Sequence, residues 1–231
     1  MRLDVYLVEK GYFSTRQKAK EAIKRGFVRV NGAVARKPSK DVRGDEKIEV
    51  ACEEKPRGYW KLKEIDEAVK LFSGVREVLD VGSSAGGFLL YSAERCELAV
   101  GLEFSREFLE QLKDVRRKAG NVEVVIGDAY SIELKGKFDL ILIDVTTDVE
   151  NSIRLARKFL GNLREGGKML VVLKGIDADK ARELDFEQTG NADGRMGGDN
   201  EKGRITVEIV KPKDRSGKPR EVYAILCKRP S

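Results

Sequence analysis

Short apolar segments alternate with helical segments between residues 77 and 174, and this alternation constrains the fold more than any other feature. The apolar segments predict strands at 77–81, 98–103, 122–126, 138–144 and 167–174. The intervening segments predict helices at 88–95, 106–118 and 149–163. Strands that alternate with helices form a parallel, doubly wound α/β sheet, whose ligand site lies at the carboxyl ends of the strands. A helix from residue 59 should precede this sheet, and an antiparallel pair at 204–210 and 221–227 should close it.

The net charge divides the chain into two parts. Residues 1–50 hold 13 lysines and arginines against 7 acidic residues, whereas the other 181 residues hold 32 of each sign. The whole net charge of +6 therefore lies in the first fifty residues. A basic segment attached to a neutral one indicates a module for a polyanion joined to a domain with another task. We predict a small α+β domain at 1–50, a linker at 51–58 and a larger domain at 59–231.

The composition excludes several kinds of chemistry. The chain has no histidine, which rules out Ser-His-Asp hydrolysis, Cys-His proteolysis and histidine-bound metals. Its three cysteines, Cys52, Cys96 and Cys227, fit neither a disulfide framework nor a metal site, so a reducing cytoplasm is expected. No apolar run is long enough to cross a bilayer, and the N-terminus lacks a signal-peptide pattern. We therefore expect neither a metal nor a membrane partner.

The basic segment carries a stripe of cations on one predicted helix. Ser14 or Thr15 can cap this helix at its start. Every fourth residue along one face is a cation, and Glu21 is the only acid nearby. The stripe consists of Arg16, Lys20 and Lys24. Such spacing suits the phosphates of a nucleic-acid backbone, although a solvated lysine face on a small domain is the alternative.

A hairpin follows this helix, with its turn at Asn31-Gly32 and a last strand at 42–50. Together with Arg2-Leu3-Asp4 and Thr15-Arg16, segment 26–32 resembles the ribosomal-protein-S-four-type RNA-binding domain, also called the alpha-L motif. The resemblance covers residues 1–50 and implies binding to structured RNA. The contacts that we expect are Arg2, Arg16, Lys20, Lys24, Arg25 and Arg29.

A glycine-rich turn, Asp-Val-Gly-Ser-Ser-Ala-Gly-Gly at 80–87, follows the first strand of the predicted sheet. Gly82, Gly86 and Gly87 should let the backbone turn tightly and approach a ligand, with amides exposed at a helix start. By itself this turn could serve NAD, a nucleotide or S-adenosylmethionine. It lacks the Gly-x-Gly-x-x-Gly spacing that NAD prefers and the Gly-Lys-Ser/Thr of phosphate-binding loops.

Two further acids favour S-adenosylmethionine as the cofactor. Glu103 ends the second strand, where a carboxylate can accept both ribose hydroxyls, and Asp128 follows the third strand, where it can accept the adenine amino group. Either could be an ordinary exposed acid, but with Asp80 they occupy three successive strand ends. The predicted cofactor contacts are Asp80, Gly82, Ser83, Ser84, Gly86, Gly87, Phe88, Glu103, Asp128 and Asp144.

Four polar residues should meet where the strands end. They are Lys61, Asp144, Lys174 and Glu221. Taken alone, Lys61 is interpreted as a surface lysine. Lys174 is harder to interpret in that way, because it follows a buried strand that leads into the expected cleft. Together the four resemble the Lys-Asp-Lys-Glu tetrad of the FtsJ-type RNA ribose 2′-O-methyltransferases, which share a Rossmann-like sheet. With the basic domain, the chain is similar to the TlyA group, historically labelled haemolysins. The resemblance implies methylation of ribose hydroxyls in ribosomal RNA.

The residues fit this chemistry on independent grounds. A ribose hydroxyl is a poor acid, so a base must take its proton as the methyl is transferred. A partly desolvated lysine beside a second lysine loses affinity for its proton, and lysine is the available base in a chain without histidine. Lys174 would be the base, Lys61 would keep it neutral and help place the ribose, Asp144 would orient it, and Glu221 would fix the geometry.

Segment 211–220 places five cations in ten residues directly before Glu221. It could be a solvated turn, but beside the expected site it is suited to the phosphates that flank the target nucleotide. The RNA contacts predicted there are Lys213, Arg215, Lys218 and Arg220. Segment 188–203 predicts a loop to which we assign no role.

Departures from the family pattern leave the target nucleotide open. Bacterial TlyA relatives carry Asp-Val-Ser-Phe-Ile-Ser and Lys-Pro-Gln-Phe-Glu where this chain has Asp-Val-Thr-Thr-Asp at 144–148 and Lys-Gly-Ile-Asp at 174–177. The alternatives to a methyltransferase are a ribosome-assembly factor that binds RNA and cofactor without turnover, and a membrane-lytic protein. The sequence argues against the latter, since it lacks an apolar span, a signal and an amphipathic basic helix of the kind that binds membranes. The oligomeric state is open.

Overall fold

In a computed structural model the chain divides into two compact units, Met1–Lys55 and Pro56–Ser231. The structure describes residues 1–51, 55–186, 205–210 and 221–229. The predicted loop at 188–203 and the four cations expected to bind RNA in segment 211–220 lie outside these residues. Among the helices that the structure describes, none has the length and apolar character needed to cross a membrane.

The N-terminal unit packs two helices against a small antiparallel sheet. The helices are α1 (Leu3–Glu9) and α2 (Arg16–Arg25), and the strands are β1 (Val28–Val30), β2 (Ala33–Ala35) and β3 (Ile48–Val50), in the order β2-β1-β3. Thr15, one of the two candidate caps, precedes α2, and its side chain accepts a hydrogen bond from the N–H of Lys18. The predicted hairpin is confirmed, since Asn31 and Gly32 adopt positive φ values of 50° and 78° between paired β1 and β2.

The last strand of this unit is shorter than predicted. The sequence indicates a strand over 42–50, but only Ile48–Val50 pairs with β1. The carboxylate of Glu46 accepts hydrogen bonds from the backbone N–H groups of Arg43 and Gly44, and Gly44 has φ +106°. These bonds close a turn, so the first half of the apolar pattern cannot extend as a strand.

The second unit is a doubly wound α/β sheet, as predicted. Its helices are α3 (Arg57–Val69), α4 (Gly87–Ala93), α5 (Leu109–Ala119), α6 (Val149–Leu160) and α7 (Ala178–Arg182). Its strands are β4 (Glu77–Val81), β5 (Leu98–Glu103), β6 (Val122–Ile126), β7 (Phe138–Ile143), β8 (Leu163–Lys174), β9 (Ile205–Val210) and β10 (Glu221–Lys228). The strand order is β6-β5-β4-β7-β8-β10-β9, parallel from β6 to β8, with β10 antiparallel to both of its neighbours.

Several boundaries differ from the sequence prediction. Helix α3 begins at Arg57, inside the predicted linker, and α7 was not predicted. The helix predicted over 106–118 begins with a 3₁₀ turn at Arg106–Phe108 before α5. The helix predicted over 149–163 ends at Leu160, and β8 starts at Leu163, four residues before the expected strand. There the carbonyl of Asn162 accepts a hydrogen bond from the N–H of Phe138, which draws the chain into the sheet.

The alternation of side chains along the strands decides which polar residues share a face. Leu142, Val172 and Tyr223 belong to the core layer under α3 and α4, whereas Ile143 and Leu173 belong to the opposite layer. Successive residues of a strand point to opposite faces. The same alternation therefore directs Asp80, Asp144, Lys174 and Glu221 to the face that α3 and α4 cover.

Candidate active site

The predicted tetrad comes together at the carboxyl edge of the sheet. Asp144 directly follows β7, Lys174 ends the parallel neighbour β8, and Glu221 begins β10 opposite Lys174 in the antiparallel register. Lys61 reaches the same place from α3, which covers this face of the sheet. The four residues thus come from four elements spread over 160 residues of chain.

Ion pairs link all four side chains. Lys61 Nζ lies 2.8 Å from Asp144 Oδ2 and 2.9 Å from Glu221 Oε2, and Lys174 Nζ lies 2.9 Å from Asp144 Oδ1. Two lysines and two carboxylates make the cluster neutral overall. The side chains are between 18% and 31% exposed, so the cluster is partly desolvated yet open to a ligand.

The pairing between Lys174 and Asp144 is close but is not a directed hydrogen bond. Lys174 Nζ donates instead to the backbone carbonyl of Val145 at 2.9 Å. Among the residues that the structure describes, Asp144 Oδ1 accepts no hydrogen bond, although it is buried. The ammonium group of Lys174, 2.9 Å away, therefore balances the charge of Oδ1 as an ion-pair partner.

Aromatic rings surround Lys61. Its Nζ lies 5.8 Å from the ring centre of Phe88 and 5.9 Å from that of Tyr223, within the range of cation–π attraction. Burial, and then the charge of Glu221, raise the pKa of the Tyr223 hydroxyl. Phe88, expected from the sequence to contact the cofactor, lies at the start of α4 beside the tetrad lysine.

Close backbone contact fixes the helix that carries Lys61. A Cβ added to Gly87 would lie 2.7 Å from the backbone nitrogen of Tyr59 and 2.8 Å from Cα of Gly58. Glycine at 87 therefore lets α3 approach the start of α4. The Tyr59 hydroxyl reinforces the contact by donating a 2.7 Å hydrogen bond to Glu94.

The glycine turn is tied into the protein more fully than the sequence suggested. The N–H groups of Gly82 and Ser83 donate to the carbonyl of Leu102, and that of Gly86 donates to the carbonyl of Ser83. Ser84, which has φ +48°, donates to Glu103 Oε2 at 2.7 Å. Residues of β5 thus use the N–H groups of Gly82, Ser83 and Ser84, and the turn itself uses that of Gly86, so these four amides are already bonded within the protein.

Two glycines of the turn serve close packing of the protein. Gly82 has φ +84°, and a Cβ there would lie 2.8 Å from Cγ1 of Val145. The residue thus allows the loop after β7, which begins with Asp144, to pass directly over the turn after β4. Gly86 has φ +76°, and its Cβ would lie 2.8 Å from Val115 of α5.

The acids at the ends of β5 and β6 are held in place by backbone amides. Glu103 is 7% exposed, and its two oxygens accept 2.7 Å hydrogen bonds from the N–H groups of Ser84 and Ser105. Asp128 Oδ1 accepts a 2.9 Å hydrogen bond from the N–H of Tyr130. Each carboxylate keeps lone pairs for further donors.

Asp80 lies between these acids and the tetrad. It is 1% exposed, and its Oδ2 has no hydrogen-bond partner among the described residues. Burial above all, together with the charges of Asp144 and Glu103, raises the pKa of Asp80 to about 7. An orphaned, buried carboxylate between two other acids is suited to a cationic ligand.

The raised pKa of Asp80 predicts a pH-dependent stability. Its pKa is 3.8 when unfolded and about 7 when folded, so the unfolding free energy should fall as pH rises from 4 to 7. Asp80→Asn removes this loss, because asparagine carries no charge at either pH. The unfolding free energy of the variant minus that of the wild type, both without ligand, should therefore be larger at pH 8 than at pH 5, by at most about 4 kcal/mol. Denaturation followed by fluorescence of Trp60, the only tryptophan, measures it. Equal pH dependence in both proteins would contradict the assignment.

An apolar group at the ends of β5 and β6 was missed in the sequence. Phe104 is 74% exposed directly after Glu103, and Ile126 and Tyr130, 36% and 38% exposed, flank Asp128. Exposed aromatic rings beside two oriented carboxylates can cover the flat face of a base. The sequence feature that could have predicted this group is Phe104, an aromatic residue directly after the strand-ending Glu103.

The cations of the N-terminal unit are arranged differently from the prediction. Asp4 of α1 pairs with Arg16 and lies 3.9 Å from Lys20, so an acid that the sequence analysis did not count offsets part of the charge of the stripe on α2. Arg25 pairs with Glu21, and Arg29 donates to the carbonyl of Gly32. Lys24 is exposed. Sequence spacing along α2 could not reveal the acid that α1 contributes.

The second unit has the fold of the Rossmann-like methyltransferases, with a charged cluster at the end of its parallel strands. Residues 55–171, half of the chain, match the FtsJ-like methyltransferase family, and residues 1–48 match the S4 domain. The chain belongs to the FtsJ-like methyltransferase family, with an S4 domain before the methyltransferase domain.

Three known proteins illustrate the relationship. The chain is 36% identical over 91 residues to the 16S/23S rRNA (cytidine-2′-O)-methyltransferase TlyA of Mycobacterium tuberculosis, covering 38% of this chain and 34% of that protein. It is 28% identical to the ribosomal RNA large subunit methyltransferase E of Halobacterium salinarum, covering 59% and 62%. The chain thus spans about a third of the length of the TlyA relatives that it matches. The fibrillarin pre-rRNA processing protein of Methanococcus jannaschii shares the fold, with a TM-score of 0.57 and 17% identity over 83% of this chain and 82% of that one.

Proposed function

We propose that this protein is an S-adenosylmethionine-dependent RNA ribose 2′-O-methyltransferase acting on ribosomal RNA. The observation that carries the proposal is the neutral cluster in which Lys61 and Lys174 share the carboxylate of Asp144. In this proposal residues 59–231 carry out the transfer, and residues 1–50 bind the RNA. A ribosomal RNA substrate also agrees with the cytoplasmic location expected from the cysteines.

The residues present fit S-adenosylmethionine. Its sulfonium and ammonium groups are cationic, and the buried Asp80 has an oxygen without a partner among the described residues. Glu103, held by two backbone amides, would accept the ribose hydroxyls. Asp128 would accept the adenine amino group, and the exposed ring of Phe104 would cover the base. When bound, the cofactor supplies an electrophilic methyl group.

Each member of the tetrad has a distinct part in the proposed reaction. Lys174, in its neutral form, takes the proton of the ribose hydroxyl through Nζ. Asp144 orients Lys174, and Lys61 helps to place the ribose. Lys61 is itself held by ion pairs with both Asp144 and Glu221. Glu221 fixes the position of Lys61 through its 2.9 Å ion pair.

The choice of RNA as substrate rests on the N-terminal unit and on the relatives. The S4 domain match coincides with the basic segment, and both curated relatives are named as ribosomal RNA methyltransferases. The loops after Asp144 and Lys174, which differ from those of bacterial TlyA proteins, would frame the target base.

A methyl-transfer assay tests this function. Ribosomal RNA from a strain without the protein should accept labelled methyl groups from S-adenosylmethionine, and nuclease digestion should place the label on a ribose 2′-oxygen. Label on a base, or transfer to protein only, would refute the proposed substrate. Cofactor and RNA binding without transfer would instead favour an assembly factor.

A further inference from the structure

A buried carboxylate lies beneath the cations of the N-terminal unit. Asp4 of α1 is 0% exposed, with Leu3 and Leu7 of the core beside it. Removing a carboxylate from water costs several kcal/mol unless cations and hydrogen bonds compensate. The sequence predicts no role for this residue beyond membership of a motif.

Three cations from two elements converge on Asp4. Arg2, just before α1, donates from Nε to Oδ1 at 2.9 Å and from Nη2 to Oδ2 at 3.2 Å. Arg16 of α2 donates from Nη2 to Oδ2 at 3.2 Å, and Lys20 Nζ lies 3.9 Å from the same oxygen. Hydrogen bonds from Arg2, ahead of those from Arg16, hold the pKa of Asp4 below its usual range despite burial.

The cations remain available although the carboxylate does not. Arg2, Arg16 and Lys20 are 47%, 53% and 37% exposed, whereas Asp4 is fully covered. Three positive charges against one negative charge leave the group at +2. Of the five N–H donors of each arginine, Arg2 directs two and Arg16 one at Asp4, so donors of these accessible side chains are left for another acceptor. Asp4 thus orders cations that can still bind a second anionic group.

We propose that Asp4 is a positioning residue that gathers Arg2, Arg16 and Lys20 into one binding cluster for a backbone phosphate of the RNA. This inference rests on the proposed RNA-binding function. Cations already ordered by a buried partner lose less conformational entropy when a phosphate binds. Two guanidinium groups supply the donor geometry that phosphate oxygens accept.

The sign of one mutational effect tests the proposal. Asp4→Asn in the full chain removes a negative charge, so simple electrostatics predicts tighter RNA binding. If Asp4 positions the cluster, the variant should bind a labelled RNA stem-loop about tenfold more weakly, with a salt slope lower by about one to two. Glu21→Gln, which removes an equal charge from the Arg25 pair on the same helix, should bind as tightly as the wild type or more tightly.

Other measurements keep the test decisive. Unchanged or tighter RNA binding by Asp4→Asn, or equal weakening by Glu21→Gln, overturns the positioning role. If Asp4→Asn does not fold, Arg2→Lys keeps the charge but loses the two-pronged bond, and it should bind about threefold more weakly. Unaltered binding by that folded variant also overturns the role. If the wild type shows no salt-dependent binding to the stem-loop, the proposed RNA-binding function itself fails.

Discussion

Replacing Lys174 with alanine is expected to lower the methyl-transfer rate about a thousandfold, the usual size of a general-base contribution. Cofactor affinity should stay close to that of the wild type, because the acids proposed to hold the cofactor lie on other strands. Single-turnover transfer to ribosomal RNA measures the rate, and calorimetry measures the affinity. Methylamine should restore part of the rate, since a free amine can replace the missing base.

Lys168 provides the matched control for Lys174. It lies on the same strand, six residues earlier, and its Nζ donates to the backbone carbonyl of Lys70 at the opposite edge of the sheet. Lys168→Ala should therefore leave the transfer rate unchanged. Near-normal turnover by Lys174→Ala would show that Lys174 is not the base.

Replacing Asp144 with asparagine should lower the transfer rate at least about a hundredfold, because both lysines lose the carboxylate that they share. Residues that act as a unit are not additive. The double variant Asp144→Asn/Lys174→Ala should consequently be about as slow as Lys174→Ala alone. If the fold reduction in the transfer rate of the double variant equalled the product of the two single reductions, the two residues would act independently.

Asp139 is the matched control at the other end of the same strand. It accepts hydrogen bonds from the N–H groups of Arg76 and Glu77 and pairs with Arg164 at 3.0 Å. Asp139→Asn should lower the unfolding free energy by about 1–3 kcal/mol, because it weakens these hydrogen bonds and removes the ion pair with Arg164. Its transfer rate per folded molecule should match the wild type. The comparison shows whether the transfer rate depends on the ion pairs of Asp144 in particular or falls whenever an ion pair of this domain is lost.

Contacts between distant segments account for most of what sequence reasoning missed. The sequence predicted the spacing of the cations along α2. It did not predict that Asp4 of α1 contacts Arg16 and Lys20 and thereby changes the charge balance of the stripe. The apolar pattern at 42–50 indicated a strand, yet the side chain of Glu46 closes a turn there. The glycines at 82, 86 and 87 predicted a tight turn correctly. That their missing side chains make room for Val145, Val115 and α3 required the packed structure.

The amino-acid sequence by itself determined the class of sheet, because strand and helix patterns depend on neighbours only a few residues apart. The alternation along each strand likewise determined that Asp144 and Lys174 share a face with the residues two positions before them. Only the tertiary structure decided that Lys61, 83 residues from Asp144, reaches that face. Strand order and helix packing result from burial of the whole core. No local sequence pattern therefore encodes the 2.8 Å contact between Lys61 and Asp144.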